Sequence, residues 1–145
     1  MSVDPEPAPL APPEPGALRR LLVPLGVLGA VLAGFGYVGA VDPNEPGHYP
    51  PCPLFRVTGA YCPGCGGLRS AHALVHGDLG TALGANALAV LAFLAFAVLW
   101  TGWALRAARG RPLAVPPTAV LWTLGAVVAV FTVVRNLPFG DWLRP

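Results

Sequence analysis

A run of 27 residues without a charged side chain decides the fold of this chain, and it reads LGTALGANALAVLAFLAFAVLWTGWAL over residues 79–105. A helix needs about 20 apolar residues to cross the hydrocarbon core of a bilayer. The run is longer than that, and its first turns contain two glycines and Asn86. We therefore expect these turns to lie in the membrane interface and the spanning helix to cover residues 83–105.

Two further charge-free runs lie on either side of this one. The first predicts a spanning helix over residues 21–41. The second predicts a spanning helix over residues 117–134, which begins only after a proline cluster that ends at Pro117. Each run has the length that a transmembrane helix requires. The chain therefore contains three predicted spans.

The composition agrees with a membrane protein. Of the 145 residues, 54% are hydrophobic and 11% are charged, and the mean hydropathy is +0.61, whereas soluble domains carry about 25% charged residues. Lipid must cover the remaining apolar surface. The predicted fold class is an all-α membrane protein with three transmembrane helices and one short amphipathic interfacial helix. A net charge of +2 without a basic, aromatic-rich patch argues against a nucleic acid partner.

Domain organisation and orientation follow from prolines and arginines. Six prolines lie within residues 1–17, which predicts a disordered Pro-rich tail, and residues 18–145 form the predicted membrane domain. Arginines cluster directly beside the spans at Arg19, Arg20 and between Arg106 and Arg111. Because arginine-rich flanks stay in the cytoplasm, we expect a cytoplasmic N-terminus and an extracytoplasmic segment 42–78.

Segment 42–78 carries the residues with specific chemistry. Its centre is Cys62-Pro63-Gly64-Cys65-Gly66-Gly67-Leu68-Arg69. The pattern that follows predicts the short amphipathic helix over residues 67–76, whose polar stripe consists of Arg69, His72 and His76. Gly77 is a suitable residue to end this helix, and Asp78 is a suitable N-cap for the next.

One interpretation of this segment is a zinc site. Two residues between Cys62 and Cys65 allow both sulfurs to bind one ion at about 2.3 Å. Cys52 lies within loop reach as a third ligand. A tetrahedral site needs a fourth, and His76 is the predicted residue, with His72 as the alternative.

A second interpretation is thiol chemistry. Cys62 and Cys65 precede a helix, and a helix N-terminus stabilises a thiolate, as would the charge of Arg69. The pair could serve a membrane thiol oxidoreductase, although no thioredoxin-like strand and helix pattern surrounds it. The cysteines could also form a structural disulfide or remain inert thiols.

The motif also resembles a known family. Its carriers are Cys52, the run from Thr58-Gly59 through the Cys-Pro-x-Cys-Gly-x-x-Arg motif to His76-Gly77-Asp78, and Asn86. This pattern is similar to domain of unknown function 2752 over about residues 42–100, with Leu68 and Ala87 where the family often has Thr and Pro. The resemblance implies a small bacterial multi-pass protein, which we expect in the inner membrane, and it implies no established activity.

The sequence therefore favours a non-catalytic role. We expect an accessory or scaffold component whose cysteine loop is stabilised by a metal or a disulfide, with a partner membrane protein or a second copy of the chain. The alternatives are the thiol oxidoreductase and a subunit of an oligomeric transporter. The predicted structural or interfacial residues are Arg69, Gly77, Asp78 and Asn86.

Overall fold

A computed structural model describes residues 16–113 and 115–145, so most of the predicted tail over residues 1–17 lies outside the described residues. The described chain is all-helical, which confirms the predicted fold class. Five α-helices and one 3₁₀ helix follow one another: α1 (Ala17–Ala40), α2 (Pro53–Thr58), α3 (Gly67–Val75), α4 (Leu79–Ala108), α5 (Thr118–Asn136) and the 3₁₀ helix (Pro138–Leu143).

Three of these helices are long and apolar enough to cross a membrane. They are α1 over Leu18–Ala40, α4 over its full 30 residues, and α5 over its full 19 residues. The predicted span at 83–105 lies within α4, whose helix already begins at Leu79. The turns of α4 before residue 83 are those that the sequence pattern assigns to the membrane interface.

The short helix α3 packs between α1 and α4 through small residues. Ser70, Ala71 and Ala73 are its buried residues, and the hydroxyl of Ser70 donates to the carbonyl of Ala82 in α4 at 2.7 Å. On the other side, a Cβ on Gly39 of α1 would approach Val75 at 2.8 Å. Small side chains thus allow the three backbones to approach closely.

A tight turn joins α3 to α4. Gly77 has a positive φ of 78°, and the amides of Gly77 and Asp78 donate to the carbonyls of Leu74 and Ala73 at 3.0 and 2.9 Å. This is the Schellman arrangement, which satisfies carbonyls at a helix end. The carboxylate of Asp78 then accepts from the backbone amide of Thr81 at 2.9 Å and caps α4.

Helix α4 is interrupted at Asn86, whose backbone is extended, with φ −167° and ψ 96°. The side-chain oxygen of Asn86 accepts from the amide of Ala89 at 3.0 Å, as an N-cap does for a new helix. Asn86 is 1% exposed. The break therefore leaves its side-chain NH₂ group free to bind a neighbouring segment inside the protein.

The long helices pack unequally. Phe35 of α1 meets Phe93 of α4 edge to face at 5.0 Å, and Trp100 donates to the carbonyl of Pro24 at 2.9 Å. By contrast, Arg135 is the one buried residue of α5. An apolar crevice of about 1,020 Å³ separates the middle of α5 from α1 and α4. Helix α5 is thus anchored at its Arg135 end.

Gly66 allows the cysteine turn to approach α4 closely. It has φ 83°, and a Cβ there would collide with the carbonyl of Ala85 and with Pro145. We expect Gly66→Ala to destabilise the protein by at least about 1–2 kcal/mol, the cost of a left-handed backbone for alanine. The measurement is the thermal unfolding midpoint in detergent.

Gly67→Ala is the matched control. A Cβ on Gly67 would meet the side chain of Ala89 at 3.9 Å, an ordinary contact, and alanine favours the helix that begins there. An equal loss of stability in both variants would contradict the prediction.

Candidate metal or thiol centre

Three sulfur atoms converge at one end of the helical bundle. The Sγ atoms of Cys52, Cys62 and Cys65 all lie within 4.8 Å of one another, and those of Cys62 and Cys65 are 3.1 Å apart. All three cysteines are free and half-buried. Three thiols so close together can share one soft metal ion, or two of them can form a disulfide.

The knuckle between Cys62 and Cys65 is built by its own backbone. The amide of Cys65 donates to the carbonyl of Cys62 at 3.1 Å, and the amide of Gly67 donates to the carbonyl of Gly64 at 2.9 Å. The amide of Cys62 donates to the Sγ of Cys65 at 3.3 Å. These bonds turn both sulfurs to the same side before α3 begins.

Cys52 reaches the knuckle because α2 reverses the chain between them. This helix starts at Pro53, ends at Thr58 and is capped by Gly59, which has a positive φ of 72°. The ring of Phe55 in α2 then packs against Tyr61, with centroids 4.6 Å apart. A helix of six residues is too short for a recognisable apolar period, so the sequence analysis did not predict it.

The thiol groups differ in acidity. The pKa of Cys52 is lowered to about 7, chiefly because the backbone N–H of Phe55 favours the thiolate, with a further contribution from the Cys65 side chain. The pKa of Cys65 is raised to about 12, first because burial disfavours its charged form and then because Cys62 and Cys52 hydrogen-bond its thiol. The thiol interpretation of the sequence named Cys62 and Cys65 and did not single out Cys52.

Two side chains from other helices hold the knuckle. The NH₂ group of Asn86 donates to the carbonyls of Pro63 and Cys65 at 2.8 and 3.0 Å. The guanidinium of Arg135 donates to the carbonyls of Cys62 and Cys65 at 2.8 and 3.2 Å. The knuckle is therefore clamped between the break in α4 and the end of α5.

Asn136, next to Arg135, holds the residue before the knuckle. Its side-chain oxygen accepts from the amide of Tyr61 at 2.8 Å, and its NH₂ group donates to the carbonyl of Tyr61 at 2.9 Å. Sequence reasoning assigned no site role to Arg135 or Asn136, because a polar pair at the end of an apolar run ordinarily marks only the membrane boundary.

The histidines lie outside the sulfur group. The Nδ1 of His72 donates to the carbonyl of Val38 at 2.8 Å, and that of His76 donates to the carbonyl of His72 at 2.9 Å. Among the residues the structure describes, neither imidazole belongs to a group with the three sulfurs. The structure therefore brings together Cys52, Cys62 and Cys65 but not the predicted fourth ligand.

A separate recess contains the remaining predicted residues. It has a volume of about 450 Å³, and its lining includes Arg69, His72, His76 and Asp78. The pKa of Asp78 is lowered, first by its hydrogen bond with the Thr81 side chain. The predicted polar stripe of α3 thus faces this recess.

The segment with the three cysteines matches a known protein family. Residues 52–100 match the family described as Protein of unknown function (DUF2752). The resemblance predicted from the sequence is confirmed over this segment. The DUF2752 segment contains all three cysteines and Asn86, whereas Arg135 and Asn136 lie beyond it. No curated protein and no solved structure matches the chain.

Asn136→Ala tests whether the end of α5 orders the cysteines. The change removes both side-chain hydrogen bonds to the backbone of Tyr61, at a cost of about 1–2 kcal/mol. We expect the maleimide modification of Cys62 in metal-stripped protein to become about 5- to 30-fold faster. Mass spectrometry of each cysteine peptide over time provides the rate.

Thr123→Ala serves as its control, because the exposed Thr123 hydroxyl donates to the carbonyl of Ala119 within the same helix. Equal modification rates in wild type and Asn136→Ala would show that Asn136 does not order the turn.

The pKa values of Cys52 and Cys65 predict how the alkylation rate of each thiol depends on pH. Because the Cys52 thiolate is half formed near pH 7, its alkylation rate should rise through pH 7 and level off above about pH 8. Because the pKa of Cys65 is about 12, the alkylation of Cys65 should stay slow over the same range. Iodoacetamide labelling of metal-stripped protein between pH 5 and 9 measures both, and faster labelling of Cys65 than of Cys52 at pH 7 would contradict the assignment.

Proposed function

We propose that this protein is an accessory or scaffold component of a bacterial inner membrane, whose extracytoplasmic cysteine loop is held by one zinc ion. Cys52, Cys62 and Cys65 are the proposed ligands. The supporting observation is the convergence of three sulfurs within 4.8 Å of one another. Sulfurs that bind zinc tetrahedrally at about 2.3 Å lie roughly 3.8 Å apart, so the spacing requires only small adjustments.

The proposed ligand set leaves one coordination position for a group outside the three cysteines. The prediction from sequence gives this position to His76 or His72, but both imidazoles donate to backbone carbonyls elsewhere. A water molecule or a side chain of a partner membrane protein or second copy would complete the tetrahedron. Structural zinc sites are closed and four-coordinate, so a partner's side chain at this position would suit a structural ion.

A structural role for the ion follows from what the loop joins. The knuckle contacts Asn86 of α4 and Arg135 of α5, and Cys52 belongs to the start of α2. An ion bound to all three sulfurs would fix α2 against both spanning helices. This supports a scaffold role more directly than catalysis.

Zinc content is the direct test. We expect about one zinc per chain in detergent-purified protein, measured by plasma mass spectrometry. Cys52→Ser, Cys62→Ser and Cys65→Ser should each lower it to near zero, because two thiolates alone hold zinc weakly. His76→Ala and His72→Ala should retain it.

Metal-free wild-type protein with three titratable thiols, after purification without chelator, would exclude a resident zinc ion. Loss of zinc in His76→Ala alone among the histidine variants would instead place that imidazole in the ligand set.

A second candidate is a membrane thiol oxidoreductase, which the Cys52 pKa of about 7 favours. In that reaction the Cys52 thiolate attacks a substrate disulfide and releases one substrate thiol. A neighbouring cysteine then displaces the second substrate thiol, leaving a protein disulfide and a reduced substrate. Purified protein with a reversible disulfide and no zinc would favour this function.

A further inference from the structure

Arg135 is a fully buried cation at the end of a predicted membrane span. Its side chain is 0% exposed, and it lies in the span Thr118–Asn136. It donates to the carbonyls of Cys62, Cys65 and Leu143, the last at 3.0 Å. Its Nε is the one buried side-chain nitrogen or oxygen without a hydrogen-bond partner among the described residues.

Among residues 16–113 and 115–145, carboxylates do not balance this charge. In the described chain, Asp141 pairs with Arg144 at 2.5 Å and Asp42 lies 3.9 Å from His72, and no carboxylate pairs with Arg135. The rings of Phe131 and Tyr61 lie 5.0 and 5.7 Å from the guanidinium carbon, which provides partial compensation. A buried charge normally has an opposite charge nearby.

The cysteine centre can supply that opposite charge. A divalent zinc ion that displaces three protons from three thiols forms a complex with one net negative charge. The complex and the guanidinium together are then neutral. A trivalent ion in the same ligand set, such as As(III), forms a neutral complex and leaves the charge of Arg135 uncompensated. Arsenite does this by releasing three water molecules as three As–S bonds form.

We propose that Arg135 determines the charge class of the ion at the three-cysteine centre and favours divalent over trivalent ions. The inference rests on the proposed zinc centre. Arg135 acts through its charge and its contacts with the knuckle backbone, and it is not itself a ligand. Its neighbour Arg144 has no such role, because Asp141 already neutralises it.

Arg135→Gln removes the charge at this position and keeps a polar side chain there. We expect zinc affinity to fall about 10- to 100-fold, the effect of removing a unit charge several ångströms from an anionic centre at an intermediate dielectric. Arsenite affinity should change less than about threefold, because its complex is neutral. Competition with a chromophoric zinc chelator and a titration of the ultraviolet arsenic–thiolate absorption measure the two affinities in detergent.

Two further variants complete the test. Arg144→Gln removes a cation that lies 5.9 Å from the same Tyr61 ring, and it should leave both affinities unchanged. Arg135→Lys keeps the charge but not the planar fork, so the ratio of zinc to arsenite affinity should remain within about threefold of wild type. This variant also provides an answer if Arg135→Gln does not fold, as judged by circular dichroism.

The outcomes are distinguishable. Equal losses of zinc and arsenite affinity in Arg135→Gln, or a changed ratio in Arg135→Lys, would overturn the charge role and leave the zinc centre intact. Wild-type protein that binds no zinc would overturn both the charge role and the proposed function.

Discussion

The guanidinium of Arg135 donates to carbonyls of the cysteine knuckle and of the 3₁₀ helix, and it does so without exposure to solvent. The backbone of the knuckle would otherwise present unpaired carbonyls at the rim of an apolar bundle, where each is costly. Because these bonds come from the end of α5, the position of that helix and the shape of the knuckle depend on each other. The three sulfurs lie where the end of α5 meets the knuckle.

Asn86 makes the complementary contribution from α4. In an uninterrupted helix, the backbone at Asn86 would hydrogen-bond to the neighbouring turn, and the Asn86 side chain would point along one helix face. The break instead lets one Asn side chain cap the continuing helix at Ala89 and bind the carbonyls of Pro63 and Cys65. A single amide thus couples the path of a membrane-crossing helix to the geometry of the thiols, and neither could change alone.

Much of the fold could be predicted from sequence. In a chain with so little polar surface, a charge-free run of sufficient length has few alternatives to forming a membrane-spanning helix. The pairing of Cys62 with Cys65 follows from their spacing, and Cys52 from loop reach. The surroundings of the two histidines could not be predicted in the same way. A spacing of four residues places His72 and His76 on one helix face, but it does not say which neighbour that face meets, and here it meets the end of α1. Arg135 was overlooked because its inward orientation depends on contacts 70 or more residues away.

The weak lateral packing of α5 has a consequence for how the chain is assembled. Apart from Arg135, no described residue of this helix is buried, and an apolar crevice separates its middle from the other helices. Packing along the length of α5 therefore contributes little to its association with the other helices. The contacts at its Arg135 end contribute most of it. During biosynthesis α5 is made after the knuckle, so a knuckle that has already folded provides the site to which α5 binds. Because Arg135 binds backbone carbonyls of the knuckle, loss of the knuckle's shape would release α5 at its single buried residue, while its apolar length would still fit a membrane.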